Sequence, residues 1–270
     1  MHVAILTSVE TRHRYFVNAI RASFPVAAVG YEQTGYSPAD RAADDGLTQP
    51  QRSVVANHFA ERKRQEEIFF GSDAAFVADS PSHRVHRIPP GELNSARTLA
   101  FLESGNADMV LIYGTNLIRT PLLERFAGRM INMHLGLSPY YRGTATNFYP
   151  LFNDEPEYIG ATIHLIDSGI DSGPIIHQAR PSIEAHDIPH TIGCKAILAG
   201  IEKVILALGE FEAGRMSAKP QWPVANPRLY RRKDFHPLHV VQLYEMIADG
   251  LIPRYVKRAP EVAPRVRLVD

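Results

Sequence analysis

The sequence predicts an α/β fold built around a mostly parallel sheet. Apolar, strand-like runs such as Val3 to Thr7 and Asp108 to Tyr113 alternate along the chain with helical patterns such as Thr11 to Ser23. Alternation of this kind is typical of parallel sheets whose strands are joined by helices. We therefore expect a Rossmann-like core with a twisted, mostly parallel sheet, followed by a short helical extension.

The other elements of the first half follow from local patterns. Val26 to Tyr31 is predicted as the second strand. The polar segment from Glu32 to Pro50 is predicted as a long loop, whose length indicates either local disorder or a cover over a substrate. A helix is expected from Gln51 to Gly71, a short strand from Arg84 to Ile88 and a helix from Leu93 to Ser104. Charges of both signs at three- and four-residue spacing on the first of these helices are typical of a solvated face.

The second half begins with a strand and a short helix. Arg129 to Met133 is apolar enough for a buried strand, and Thr146 to Asn153 reads as a short helix with aromatic residues pointing inward. Two further strands are predicted from Tyr158 to Asp167 and from Pro174 to Ile183. In the second of these, His177 is expected to face solvent.

The C-terminal part of the chain is predicted to be helical and then irregular. Asp187-Ile188-Pro189 opens a long helix with apolar periodicity, which Gly209 helps to end. A last helix is expected from Pro237 to Leu251. The final stretch, Arg258 to Asp270, contains prolines and shows no period, so we expect it to be a loose tail.

Composition excludes several classes of protein. Hydrophobic residues make up 45% of the chain and charged residues 21%, while the formal net charge is zero. No global field attracts nucleic acid or an anionic membrane. The single cysteine, Cys194, excludes an intramolecular disulfide and is predicted to lie in the core. Because no secretion signal or long apolar run is visible, we expect a cytoplasmic protein that does not bind membranes.

Three polar residues suggest chemistry at a carbonyl carbon. Asn132 and His134 lie two residues apart on a predicted strand, so their side chains share a face near its end. An Asn amide can donate to an oxyanion, an imidazole can exchange a proton near neutral pH, and Asp171 can orient that imidazole. No Ser or Cys nucleophile is evident, which favours direct transfer between two bound substrates. Taken alone, the Asn-x-His pair is more typical of a hydrogen-bonded strand end than of a catalytic pair, and Asp-Ser-Gly-Pro is first a turn signal.

Two sequence blocks resemble a known family. Residues 132–143, Asn-Met-His-Leu-Gly-Leu-Ser-Pro-Tyr-Tyr-Arg-Gly, resemble the Asn-Ile-His-Pro-Ser-Leu-Leu-Pro-x-Tyr-Arg-Gly signature of formyltransferases that use 10-formyltetrahydrofolate. Residues 162–176 are similar to that family's Val-His-Phe-Val-Asp-x-Gly-x-Asp-x-Gly-Pro-Ile-Ile block. The resemblance covers roughly residues 105–212 and implies a catalytic domain over 1–212 with a small extension over 213–270.

The resemblance assigns roles to individual residues. It implies that Asn132, His134 and Asp171 are catalytic, with Asn132 and protonated His134 stabilising the oxyanion and Asp171 helping to remove the amine proton. It also implies that two segments bind the folate co-substrate, through the residues Asn116, Leu117, Ile118, Ile166, Asp167 and Gly169. One departure is that Gly136 replaces the Ser of the signature, which leaves any contact of that Ser in doubt.

The acceptor is expected to be a small-molecule amine, and an amino sugar on a nucleotide carrier is favoured. The candidate acceptor-binding residues are Arg12, Arg14, Arg142 and His164, together with a basic run over 228–233; the two N-terminal arginines are also typical of a solvated helical turn. Glycinamide ribonucleotide is less favoured because the N-terminal loop lacks the expected Gly-Asn-Gly cradle. Transfer RNA is not expected, because a helix rather than a basic β-domain follows the core.

Several alternatives stay open. The same residues would serve a 10-formyltetrahydrofolate hydrolase or a formyltransferase acting on an amino acid or peptide amine. A non-catalytic folate-binding module would share the fold. No metal is expected, since the spacing of His134, His164, Asp171 and His177 matches no compact ligand motif. No nucleotide-binding glycine motif supports a site for NAD or ATP. A homodimer is compatible with the sequence.

Overall fold

A computed structural model describes residues 1–33, 46–81 and 83–270. Its strands are β1 (Val3–Thr7), β2 (Val26–Glu32), β3 (Arg84–Ile88), β4 (Met109–Tyr113), β5 (Met130–His134), β6 (Tyr141–Gly143), β7 (Ala161–Leu165), β8 (Ile175–Ala179) and β9 (Arg228–Tyr230). The main sheet has the order β3-β2-β1-β4-β5-β7-β8, and β6 pairs separately with β9. All pairs up to β5 are parallel, whereas β7 and β8 run antiparallel. The predicted mostly parallel α/β fold is confirmed.

Eight α-helices lie in the described part of the chain. They are α1 (Thr11–Ser23), α2 (Gln49–Phe70), α3 (Ala96–Ser104), α4 (Leu122–Arg125), α5 (Tyr149–Phe152), α6 (Pro189–Glu212), α7 (Pro237–Ala248) and α8 (Leu251–Val262). None of these helices is long and apolar enough to span a membrane.

Helices cover both faces of the parallel part of the sheet. Helices α1, α2 and α6 contribute residues such as Phe16, Phe70 and Ile197 to one apolar layer, while α3 and α4 contribute Leu102 and Leu122 to the other. Because both faces are covered, every residue of β1 and β4 is buried. This explains why these strands read as continuous apolar runs rather than alternating ones.

Two helices begin at residues other than those predicted. Helix α2 begins at Gln49, because Pro50 is tolerated in a first turn, where the backbone N–H groups have no partner inside the helix. Helix α3 begins at Ala96, since Ser95 caps it by accepting a hydrogen bond from the Thr98 backbone N–H at 3.2 Å. The long loop predicted from Glu32 to Pro50 falls mainly on residues 34–45, which lie outside the described residues.

The prediction of a loose C-terminal tail is wrong. Residues 251–262 form α8, and the tail that follows pairs with the edge strand β8, where the Gln178 backbone N–H donates to the Val269 carbonyl oxygen at 2.7 Å. The prolines of this stretch indicated irregular structure, but Pro260 lies inside α8. An edge strand leaves a row of unpaired backbone groups, and the tail satisfies some of them. The last residues therefore belong to the folded structure.

The expected solvated face of α2 is also only partly present. Glu66 is buried, and its carboxylate lies 2.7 Å from Arg12 Nη1 on α1 and 3.0 Å from Arg62 Nε. A buried carboxylate needs cationic partners to offset its lost hydration. The charge pattern of α2 thus includes an internal ion-pair cluster that joins two helices.

His177 is a further correction. It was expected to face solvent, but its side chain is buried and its Nε2 lies 2.8 Å from Glu210 Oε2 on α6. The antiparallel strand β8 is covered by α6, so its outward positions are not open to water. Cys194, by contrast, lies in the core as predicted.

Candidate active site

Strand β5 places Asn132 and His134 on one face of the sheet. Ile131 and Met133, which alternate with them, pack into the apolar layer beneath α1 and α6. Successive side chains of a strand point to opposite faces, so Asn132 and His134 project from the other face, at the carboxyl end of the strand. The register of β5 with β7 sets Asn132 directly opposite His164.

Asp171 reaches both of these side chains from the turn between β7 and β8. Its Oδ1 accepts a hydrogen bond from Asn132 Nδ2 at 3.2 Å, and its Oδ2 lies 3.4 Å from His134 Nδ1. Its Oδ2 also accepts from the Gly143 backbone N–H at 2.9 Å. The structure therefore brings together all three residues that the motif singled out as catalytic.

The hydrogen bonds define the tautomer of His134. Its Nε2 lies 3.0 Å from the Tyr141 carbonyl oxygen, which can only accept, so Nε2 carries a proton. In the neutral imidazole, Nδ1 then holds the lone pair and faces Asp171. Burial lowers the pKa of His134, and the Asp171 carboxylate only partly offsets this effect. The resting imidazole is therefore neutral at pH 7.

Asp171 stays ionised. Burial alone raises the pKa of its carboxyl group, but His134, His164 and the Gly143 N–H together lower that pKa to about 2. A group with so low a pKa holds a proton poorly near neutral pH. Asp171 therefore acts in the site as a fixed negative charge.

His164 lies beside Asn132. Its Nε2 is 3.1 Å from Asn132 Nδ2 and 3.6 Å from Asp171 Oδ1, while its Nδ1 donates to the Leu165 carbonyl oxygen at 2.8 Å. The Asn132 amide nitrogen thus donates to two acceptors, and His164 helps to hold that amide in place. His164 was predicted to contact the acceptor, and the structure places it within this hydrogen-bonded group.

The space at Gly136 is taken by Thr146. A Cβ atom on Gly136 would lie 2.6 Å from His134 Nε2 and 2.7 Å from Thr146 Cβ. The Thr146 hydroxyl donates to the Leu135 carbonyl oxygen. The Ser of the signature therefore has no room here, because a threonine four residues after Arg142 occupies its place next to the imidazole.

The first predicted folate segment follows β4, the strand that pairs with β5. Asn116 donates from its backbone and its side chain to the carboxylate of Glu32, at 2.7 and 2.6 Å. Ile118 is buried in the apolar cluster on this face of the sheet, whereas Leu117 is 47% exposed. Leu117 is an exposed apolar side chain on a loop that the Asn116 hydrogen bonds hold in place. Such a side chain can pack against the face of an aromatic ligand.

The second predicted folate segment lies next to the first. Ile166 packs against the cluster that contains Ile118, and its N–H donates to the Met130 carbonyl oxygen at 3.0 Å. Asp167 Oδ1 accepts from the Gly169 N–H at 3.0 Å and from Ser172 Oγ at 2.8 Å. The two segments thus provide apolar contacts and a turn with fixed backbone groups, which fits a pterin ring.

Arg12 and Arg14 are engaged within the protein. Arg12 Nη1 forms its ion pair with Glu66, and Arg14 donates from Nε to the Ala74 carbonyl oxygen at 2.6 Å and from Nη1 to that of Val9 at 3.0 Å. The two guanidinium groups are thus bonded within the protein. They make neither the predicted contact with an anionic acceptor nor the alternative, a freely solvated helical turn. Arg12 joins α1 to α2, and Arg14 joins α1 to the segment after α2.

Arg142 lies on β6 and lines a cavity beside the Asp171 turn. The cavity, of about 310 Å³, is bounded by Ser172, Gln221, Trp222 and several prolines. Arg142 Nε is buried and has no hydrogen-bond partner among the described residues. A buried N–H without a partner is costly, so a site beside it favours an acceptor group from a ligand.

Within the described residues, no three His, Cys, Asp or Glu side chains are arranged to hold a metal ion. Of the four residues weighed for zinc, three meet at the site, whereas His177 pairs with Glu210.

Residues 44–206, more than half of the chain, match the family model described as formyl transferase. The chain belongs to the formyl transferase family. This agrees with the resemblance carried by residues 132–143 and 162–176, which contain the three convergent side chains.

Individual relatives and structures add detail. A methionyl-tRNA formyltransferase of Burkholderia pseudomallei is 31% identical over 176 residues, which cover 65% of this chain and 53% of the relative. One from Thermodesulfovibrio yellowstonii is 31% identical over 134 residues, covering 49% and 43%. The chain thus spans about half the length of these relatives.

Solved structures share the fold. A phosphoribosylglycinamide formyltransferase from Anaplasma phagocytophilum has a TM-score of 0.57 at 13% identity, covering 86% of this chain and 98% of that one. A sugar N-formyltransferase from a Shewanella species has a TM-score of 0.54 at 16% identity, covering 87% and 78%. At these identities the likeness is one of fold.

Sequence reasoning missed the contacts made by the extension. Gln221, Tyr230 and Trp222 all lie near the site, and no motif marks them. The only signal was their position in a segment after the core helix that is rich in proline and aromatic residues.

We expect the His134 imidazole to titrate below pH 6.5. Its folded pKa is depressed, so the neutral form is favoured in the fold, and stability from this group is lost as pH falls below the unfolded value. An NMR titration of ¹³C-labelled histidine, with His134 assigned from a His134→Gln variant, measures this. In Asp171→Asn the midpoint should fall further, because the carboxylate raises the pKa. A wild-type midpoint above 6.5 would show that the Asp171 charge outweighs burial.

Proposed function

We propose that this protein transfers the formyl group of 10-formyltetrahydrofolate to the nitrogen of an amine. The observation that carries the proposal is the convergence of Asn132, His134 and Asp171 at the end of β5. Such a group offers an amide donor, a proton carrier and a fixed charge, which are the parts needed for acyl transfer without a covalent enzyme intermediate. Membership of the formyl transferase family supports the same reaction class.

In the proposed mechanism, Asn132 stabilises the charge that develops on the formyl oxygen. The amine lone pair attacks the formyl carbon, and the carbonyl electrons move to oxygen, towards the Asn132 Nδ2 donor. In the resting enzyme that nitrogen donates to Asp171 and His164 at 3.2 and 3.1 Å, so a stronger acceptor can displace one of these bonds. Preorganisation of the amide by two neighbours limits the cost of aligning it.

His134 carries the proton in this mechanism. Neutral His134 accepts the proton of the attacking nitrogen at Nδ1, directly or through water, and Asp171 stabilises the imidazolium that forms. The intermediate collapses by breaking the bond between the formyl carbon and N10, and the imidazolium returns the proton to N10. This differs from the expectation of an initially protonated His134, because burial lowers its pKa.

The proposed donor site is formed by the two segments that share the apolar cluster on this face. Leu117 and Ile118 supply apolar contacts, while Ile166 and the Asp167 to Gly169 turn supply backbone groups next to Asp171. Bound there, 10-formyltetrahydrofolate supplies the formyl group.

The proposed acceptor is an amino sugar on a nucleotide carrier. The cavity beside Asp171 combines the Arg142 guanidinium with the Trp222 indole, which suit a phosphate and a flat ring respectively. Arg231 and Lys233 are exposed and follow closely after β9 in the sequence. Strand β9 pairs with β6, the strand that carries Arg142. Methionyl-tRNA must be tested as well, because the sequence relatives bear that name.

The decisive experiment follows turnover of 10-formyltetrahydrofolate by the absorbance of tetrahydrofolate. The panel contains no amine, nucleotide-linked amino sugars, amino acids and methionyl-tRNA. We expect turnover that depends on an amine and is fastest with a nucleotide-linked amino sugar. Formate release without an amine would identify a hydrolase instead, and tight folate binding without any turnover would identify a binding module.

Arg142→Ala is expected to raise KM for a nucleotide-linked acceptor by about tenfold to a hundredfold, since a charged hydrogen bond contributes about 1.5–3 kcal/mol. The KM for 10-formyltetrahydrofolate should change much less. Arg215→Ala removes an exposed cation outside the cavity and serves as the matched control. An unchanged acceptor KM in Arg142→Ala would place the acceptor elsewhere.

A further inference from the structure

The extension after α6 runs back along the strand that follows the Asp171 turn. Lys219 and Ile175, the first residue of β8, exchange two backbone hydrogen bonds of 2.7 and 2.8 Å. This bridge places the next residues of the extension directly over the turn between β7 and β8. The extension is therefore held in register with the segment that carries Asp171.

Gln221, two residues after the bridge, binds that turn with its side chain. Gln221 Nε2 donates to the Asp171 carbonyl oxygen at 2.8 Å and to the Gly173 carbonyl oxygen at 3.0 Å. Both protons of one amide nitrogen are thus used on two carbonyl groups of the same turn. Among the described residues, no other group donates to these two oxygens.

The backbone of Asp171 needs such support. Its φ is +48°, in the left-handed region, which costs a non-glycine residue roughly 1 kcal/mol or more. Conformations of this kind persist where neighbouring groups fix them. Gln221 binds the backbone carbonyl oxygen of Asp171 itself. It therefore fixes the backbone conformation that sets the direction of the Asp171 carboxylate.

The same extension also fixes the other partner of the carboxylate. Strand β9 pairs with β6, and the Thr144 N–H donates to the Tyr230 carbonyl oxygen at 2.9 Å. Gly143, the last residue of β6, has φ of +93°, and a Cβ there would overlap that carbonyl oxygen. The Gly143 N–H is the group that donates to Asp171 Oδ2. The extension therefore holds both the turn and a donor to its carboxylate.

We infer that Gln221 is a positioning residue that holds the Asp171 turn, so that the carboxylate faces His134. The effect of Gln221 on turnover rests on the proposed function, whereas its effect on the position of Asp171 does not. Without the two hydrogen bonds, the turn relaxes towards an ordinary backbone conformation, and the carboxylate moves away from Nδ1 of the imidazole.

The first test measures the titration midpoint of His134, which depends on the charge nearby, and it needs no enzymatic activity. Gln221→Met keeps a side chain of similar length but has no donor, and Gln221→Leu also removes the donor without adding a charge. In both variants we expect the NMR titration midpoint of His134 to fall below that of the wild type, towards that of Asp171→Asn. Asn226→Ala, an exposed change in the same extension, should leave the midpoint unchanged. An unchanged midpoint in both Gln221 variants, with folding verified by circular dichroism, would overturn the inference.

The second test reads catalysis. We expect kcat of Gln221→Met to fall about tenfold, because small displacements of a positioned group cost rate, while KM for each substrate stays within about twofold. A rise in KM with unchanged kcat would mean that Gln221 binds substrate rather than holding the turn, and would overturn the inference. A shifted His134 midpoint in a wild-type protein that shows no turnover would uphold the positioning role and refute only the proposed reaction.

Discussion

Asn132→Ala and His134→Ala should each lower turnover at least about a hundredfold. Loss of one donor to a developing oxyanion costs about 3 kcal/mol, and a positioned proton carrier contributes typically 10²–10⁴-fold in rate. Asn132 and His134 share one face of β5 and both reach Asp171, so each variant removes a different part of one assembly. Effects of residues that act as a unit are not additive, so the double variant should lose little more than the worse single one.

Turnover of 10-formyltetrahydrofolate at saturating amine measures these losses. His186→Ala and Asn226→Ala are the matched controls, because both remove the same residue types from exposed positions that do not line the cavity beside Asp171. The controls should turn over at wild-type rates. Near-normal turnover in Asn132→Ala or His134→Ala, with a wild-type unfolding transition, would refute the roles proposed for these side chains.

Gly136→Ser should lower turnover about a hundredfold and destabilise the fold by about 1–3 kcal/mol. The new Cβ would lie 2.6 Å from His134 Nε2, so either the imidazole or the backbone must shift, and overpacking of a filled interior has this cost. A shift of about 1 Å at a reacting group can cost a hundredfold in rate. The variant restores the family signature yet is expected to be worse than the natural glycine.

Two companion variants separate the causes. Gly193→Ser makes the same change on α6 where a Cβ meets nothing within 4 Å, so its turnover and its free energy of unfolding should stay at wild-type values or improve slightly. Gly136→Ser with Thr146→Gly removes the second close contact and should recover part of the stability. Full activity in Gly136→Ser alone would show that the space beside His134 is not closed.

Much of the fold was predictable because its signals are local. β1 and β3 were predicted to the residue, and β1 is marked by a continuous apolar run. The helix α6 was recognised from its apolar period and its opening proline. An error arose at the C-terminal end, where prolines after Arg258 were read as a sign of irregular structure, although Pro260 lies inside α8.

The candidate site was predicted only as far as its motif reaches. Asn132, His134 and Asp171 were found because two blocks of sequence resemble a family, and the structure brings them within hydrogen-bond reach. Arg12 could not be assigned in the same way, because its partner Glu66 lies on another helix, far away in sequence. The division into residues 1–212 and 213–270 stays a prediction, although the extension contacts the Asp171 turn through Gln221.

The sequence by itself determined most strands and helices of the core, the reaction class that the resemblance implies and the residues that carry its motif. Apolar period and turn residues act over a few positions, and a motif retains its spacing without reference to the rest of the chain. Only the tertiary structure decided that His134 is neutral, that Thr146 fills the place of the missing Ser and that Gln221 binds the Asp171 turn. These properties depend on burial and on contacts between distant segments, which no local pattern encodes.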